Sequence, residues 1–123
     1  MWGHRVTRRL GERGAATAEL AISIPILVSL TIGLVWLLSI GVAQAQMVDA
    51  AREAARATAR GDPVAEAVAA GEQVAPGSTV SVSVADGTAV ATASGAVSPP
   101  GGLFGFLPAV HLQARAVTAA EPP

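Results

Sequence analysis

Cysteine is absent, which excludes a disulfide framework, a thiolate metal site and a cysteine nucleophile. Histidine is nearly absent: His4 and His111 stand at opposite ends of the chain, so metal centres and catalytic triads have almost no raw material. Charge is also scarce. Only 14% of the 123 residues are charged, against roughly 25% in an ordinary soluble domain, and mean hydropathy is +0.50. That balance argues against polarity-driven disorder and against a nucleic-acid-binding surface. Lysine and asparagine are missing too, and all eight basic residues are arginine, a coding bias of a GC-rich genome that bears on no activity.

What the chain does have is a long apolar run. No charged residue lies between Glu19 and Asp49, and residues 20–43 are almost wholly apolar. These roughly 24 residues, at about 1.5 Å each as helix, reach about 36 Å, enough to cross a hydrocarbon core of about 30 Å. One transmembrane helix is predicted over residues 20–43. Pro25 removes a backbone donor inside it and marks an expected kink or joint. Ser23, Ser29, Thr31 and Ser39 can return their hydroxyls to the helix backbone and do not spoil the span. Arg5, Arg8, Arg9 and Arg13 precede the span against one acid, Glu12, whereas seven acids and four arginines follow it. The positive-inside rule then puts the N-terminus in the cytoplasm and the rest outside.

Helical periodicity continues past the membrane to Gly61, a plausible residue for ending a helix in the left-handed conformation. Asp49, Arg52, Glu53, Arg56 and Arg60 form a polar face, with Asp49/Arg52 and Glu53/Arg56 expected to pair. The opposite stripe, Gly33, Ile40, Met47, Ala51, Ala54 and Ala55, is small enough for another helix to approach closely. Asp62-Pro63 suggests an N-cap and first residue of a short second helix ending near Gly71 or Gln73. Beyond Pro76-Gly77 the period becomes two: Val80, Val82 and Val84 alternate with small or polar residues, and Asp86-Gly87 signals a hairpin leading into Thr88 to Ser94. A third strand is expected from Val110 to Thr118. Leu103 to Leu107 is an apolar tongue, expected to cap the head, the alternative being a partner-binding tongue if the patch is exposed, and Glu121-Pro122-Pro123 should fray. The predicted fold is therefore α+β. It comprises a basic cytoplasmic leader (1–14), a transmembrane and stalk helix (15–61), a short helix and linker (62–77), and a small antiparallel three-stranded β-rich extracytoplasmic head (78–123). Such a head has a poor core by itself and needs the stalk or a partner.

The chemistry of most interest lies before the span, in Arg13-Gly14-Ala15-Ala16-Thr17-Ala18-Glu19-Leu20. A carboxylate at the centre of a span costs about 3 kcal/mol, and less near the interface, so Glu19 calls for compensation. Cleavage after Gly14 would create an α-amino cation on Ala15, with which Glu19 of a neighbouring copy could pair. Alternatively, Glu19 is an acid favoured by the helix dipole that snorkels to the interface.

Gly14, Glu19 at the fifth position after it, Pro25 at the eleventh, and Ala51-Arg52-Glu53-Ala54-Ala55-Arg56 beyond the span resemble the TadE-like minor pilins (pseudopilins) of the tight-adherence, Flp-type branch of the type IV pilus systems. The resemblance implies a prepilin cleaved between Gly14 and Ala15 by a membrane aspartyl prepilin peptidase, with Glu19 acting in processing or subunit docking. The hydrophobic helix would stay in the mature protein as the assembly element. Leu20 departs from the major Flp pilins, which follow the glutamate with Phe or Tyr, and the departure bears on assembly more than on cleavage. Implied partners are the prepilin peptidase, other pilin-like subunits, tight-adherence inner-membrane components and the lipid bilayer. No cofactor, metal, nucleic acid or small-molecule substrate is implied.

Three other readings compete. Ala43-Gln44-Ala45 fits a signal-peptidase pattern whose use would release a domain starting at Gln46, but the apolar region is longer than the usual 7 to 15 residues of a signal peptide. Arg8-Arg9 hints at a twin-arginine signal and is better explained as a topology-setting pair. An uncleaved, signal-anchored interaction protein is the remaining alternative. An enzyme is disfavoured, because Asp62, Glu66 and Glu72 have no histidine or aromatic platform nearby and suit a solvated helix face.

Overall fold

The computed structural model describes the backbone of residues 2–120 and the side chains of residues 11–120. The leader side chains of His4, Arg5, Arg8 and Arg9, and the terminal Glu121-Pro122-Pro123, lie outside the described residues. The chain divides into two compact units, Met1–Val35 and Trp36–Pro123, with the boundary inside the first helix.

Helix α1 spans Trp2–Ala59, so the leader is helical as well as the span, and the assignment runs through Pro25. An apolar segment has no other way to satisfy its backbone in lipid. Hydroxyls fold back onto the helix as expected: Thr31 donates to the Leu27 carbonyl at 2.9 Å and Ser39 to that of Trp36 at 2.6 Å. Within the first unit the large side chains from Leu20 to Val35 are exposed.

The second unit starts with the rest of α1. That helix stops at Gly61, whose φ of +91° permits two closing bonds, from its own N–H to the Thr58 carbonyl and from the Asp62 N–H to that of Ala57. Helix α2 follows at Val64–Val74. The predicted cap is corrected here: the N-cap is Pro63, in an extended conformation, and no side chain caps the helix. The Asp62 carboxylate instead meets Arg60 at 3.2 Å, the one ion pair among the described residues. The expected Asp49/Arg52 and Glu53/Arg56 pairs do not form. Exposed pairs of this kind contribute about 0.5 kcal/mol or less, too little to hold two long side chains in place.

Gly71 does not end α2. A Cβ there would come within 3.0 Å of the Ala50 carbonyl oxygen and 3.2 Å of both Ala54 Cβ and Val80 Cγ1, so the glycine lets α2 lie directly on α1.

Strands β1 (Thr79–Ala85), β2 (Thr88–Val97) and β3 (Val110–Ala119) form one antiparallel sheet in the order β1-β2-β3. The period-two pattern decides its faces: Val80, Ala91, Ala93 and Ala114 turn inward, while Ser81, Ser83, His111, Gln113 and Arg115 turn out. The inward face packs on Met47, Ala50, Ala51, Ala54 and Ala55 of α1. The core is made mainly of alanine, and among the described residues no large side chain is fully buried. Each buried methyl contributes only about 0.8 kcal/mol, so stability is spread over many small, close contacts.

The β1–β2 hairpin is as predicted, with Asp86 at φ 53° and Gly87 at φ 72°, the pair of positive values that a two-residue primed turn demands. Gly87→Val forces a branched side chain into that region and is expected to cost the head about 1–2 kcal/mol. Thermal denaturation of the solubilised chain, followed through the sheet signal in circular dichroism, would measure this loss.

The tongue requires a second correction. After β2 the chain makes a 3-10 turn at Gly102–Phe104, and Leu103 and Phe106 are 69% and 81% exposed rather than capping the head. The inner face of the sheet is already covered by α1, which leaves no core for them to close.

Candidate functional site

Arg13, Gly14, Ala15, Glu19 and Leu20 all lie on α1 with their side chains exposed. Gly14 and Glu19 are five residues apart, about 7.5 Å along the axis and well over a quarter turn around it, so a helical conformation presents them on different faces. The Thr17 hydroxyl donates to the Arg13 carbonyl at 2.9 Å. That bond leaves the peptide between Gly14 and Ala15 inside regular helix, one turn ahead of the acid.

Gly14 has no structural purpose in this helix. A Cβ built on it meets no atom within 4 Å, and its φ is not in the positive range that favours glycine. An exposed glycine inside a helix costs about 1 kcal/mol relative to alanine, so the fold gives no reason for the residue. Gly71, held in close contact on the same chain, shows what a structurally required glycine looks like.

The predicted packing stripe divides. Met47, Ala51, Ala54 and Ala55 are buried against the chain's own sheet, so at those four positions the small-residue face serves the head, not another helix. Ile40 and Gly33 are half-buried, in the second and the first unit respectively. The carboxylates weighed as a catalytic set do not converge. Asp62 pairs with Arg60, Glu66 is exposed, and Glu72 accepts a long 3.5 Å hydrogen bond from the Val80 N–H. His111 is exposed on β3. Among the described residues no group of three metal-ligating side chains comes together.

Two side chains tie α1 to the β2–β3 connection and to β3, contacts that the sequence did not reveal. Trp36 Nε1 donates to the Ser98 carbonyl at 3.1 Å, and Gln44 Nε2 to that of Gln113 at 3.3 Å. Both lie ahead of Gln46, so cutting after Ala45 would remove contacts that the head makes.

An apolar N-terminal helix long enough to cross a membrane, joined to a small head whose core includes that helix's own C-terminal part, fits a single-pass membrane-anchored α+β protein. Residues 14–56 match the family model described as TadE-like protein, so this part of the chain is similar to the TadE-like proteins of the tight-adherence pilus system. The matched segment holds Gly14, Glu19, Pro25 and the stalk half of the core. No curated protein and no solved structure matches the chain.

Proposed function

We propose that the chain is a minor pilin, or pseudopilin, of a tight-adherence (Flp-type) pilus or of its assembly machine. In this reading a prepilin peptidase removes residues 1–14 on the cytoplasmic side, and the mature protein assembles through its hydrophobic helix with the head outside. The observation that carries the proposal is the placement of Gly14: like Gly11 and Gly41 it is a helical glycine with no contact to justify it, but it alone stands between a basic leader and an exposed acid about one turn further on. A peptidase that must bring an extended or loosened peptide into its site gains from a glycine there, because glycine lowers the cost of leaving the helix.

Cleavage also supplies the charge that Glu19 lacks. The new α-amino group of Ala15 stands at the start of the mature helix, and at the edge of a low-dielectric slab its attraction to Glu19 of a neighbouring copy exceeds what the same pair gains in water.

The test is the N-terminal sequence and intact mass of the membrane-bound protein, expressed with and without its cognate prepilin peptidase. A peptidase-dependent start at Ala15 is expected. Glu19→Val should insert normally and then fail at processing or at assembly, and normal behaviour at both would remove the role given to Glu19. A start at Met1 or Trp2 under both conditions would favour an uncleaved signal-anchored protein. A start at Gln46 would mean a released domain.

A further inference from the structure

We propose that the connection between β2 and β3, residues 98–109, is a second membrane contact: an apolar loop that dips into the lipid interface beside the helix. The inference rests on the membrane-anchor reading and adds to it a lipid-facing surface on the head.

Depth along α1 is the first argument. The apolar run 20–43 is longer than the about twenty helical residues that a hydrocarbon core of about 30 Å takes; counted from Leu20 that length ends near Ser39, and the last residues of the run reach into the interface. Trp36 lies one turn inside this limit, where an indole with an apolar body and a polar N–H is favoured. Its Nε1 holds the Ser98 carbonyl at 3.1 Å, which places the start of the loop at the membrane boundary. The direction of β2 agrees: a Cβ on Gly95, near the strand's end, would meet Met47 of α1 at 2.6 Å, and the chain then continues toward Trp36.

Composition is the second argument. Residues 98–109 carry no charge, and the two most exposed large side chains, Leu103 and Phe106, are apolar. Leu37, Leu38 and Val42 on the neighbouring part of α1 are exposed as well, so the loop adds to an apolar surface that the anchor already gives to lipid.

Backbone chemistry is the third. A loop entering the interface must limit its unpaired donors. Pro99, Pro100 and Pro108 have no N–H, and the N–H groups of Gly105 and Leu107 donate to the carbonyls of Gly102 and Phe104 at 3.1 Å each. These five positions present no free donor, which lowers the cost of moving the loop out of water. Burial of the Phe106 ring and the Leu103 side chain drives it there, as for side chains on the apolar face of an interfacial helix.

The absence of cysteine makes the experiment simple. Full-length Phe106→Cys, Leu30→Cys and Ser83→Cys proteins, each labelled with a nitroxide, are reconstituted into phosphatidylcholine vesicles. Collision with oxygen, which concentrates in lipid, is compared with collision with a water-soluble nickel chelate. Residue 106 is expected to resemble residue 30, with high oxygen and low nickel accessibility, and to differ several-fold in their ratio from residue 83 on the exposed face of β1. A label at 106 as open to nickel as that at 83, while 30 remains in lipid, overturns the proposal and leaves the anchor standing. Shielding of 106 from both probes also overturns it and assigns the loop to a second copy of the chain. Nickel access at 30 overturns the anchor reading and the proposal with it.

Discussion

A Gly14→Leu chain is expected to reach the membrane and remain there with its leader attached. The substitution is benign for the helix: leucine is a better helix former than glycine by most of 1 kcal/mol, and a Cβ at this position meets nothing within 4 Å. Insertion and folding of the head should match those of the parent, and any loss must arise in the peptidase. A bulky side chain beside the scissile bond displaces the reacting carbonyl, and a displacement of about 1 Å can cost about 100-fold in rate. Gly14→Ala, small enough to keep the bond in place, retains processing. The measurement is the ratio of precursor to mature mass in membranes containing the cognate peptidase. Efficient cleavage of the leucine variant after position 14 would show that glycine is not required there and would remove the principal support for a prepilin.

The second large effect concerns the head. Ala51→Asp is expected to unfold it. Ala51 is fully buried in the cluster that includes Val80, Ala91 and Ala93, and the space holds no cation or donor to receive a carboxylate. An unpaired charge in such a setting costs several kcal/mol even after it protonates or relaxes, a large part of the roughly 5–15 kcal/mol that stabilises a typical domain. The neighbouring Arg52 is exposed, and Arg52→Asp should change stability by no more than about 0.5 kcal/mol. Limited proteolysis and circular dichroism of the two solubilised variants would separate them: Ala51→Asp loses the sheet while keeping the membrane helix, and Arg52→Asp keeps both. Equal stability would mean that α1 does not form the floor of the head.

Much of the architecture was legible in the residues. The apolar run, the switch from helical to alternating periodicity after Pro76-Gly77, Gly61 as a helix stop and Asp86-Gly87 as a hairpin turn all appear where expected. Each is a local signal, carried by backbone preference or by the period of neighbouring side chains. The errors occurred where local preference competes with packing. Asp62 had the chemistry of an N-cap, but Pro63 takes that position and leaves the carboxylate to Arg60. Gly71 looked like a helix end because the residues that demand a glycine, Ala50, Ala54 and Val80, are distant in sequence or on another element. The candidate processing site was visible as Gly14 and Glu19, and the structure's contribution there is to show that no contact accounts for the glycine.

The sequence by itself determined that this protein has one apolar N-terminal helix long enough to cross a membrane and an α+β order of elements. Those properties follow from composition and from patterns a few residues long. Only the tertiary structure decided what the small-residue stripe is for. A run of alanines on a helix suits a neighbouring helix and a sheet equally well, because both need only close approach. The stripe goes to the chain's own sheet because β2 and β3 bring a matching row of alanines and an inward-facing Val80 stands beside them. The fate of Leu103 and Phe106 was decided in the same way: with α1 already covering the sheet, no apolar space remains for them inside the head.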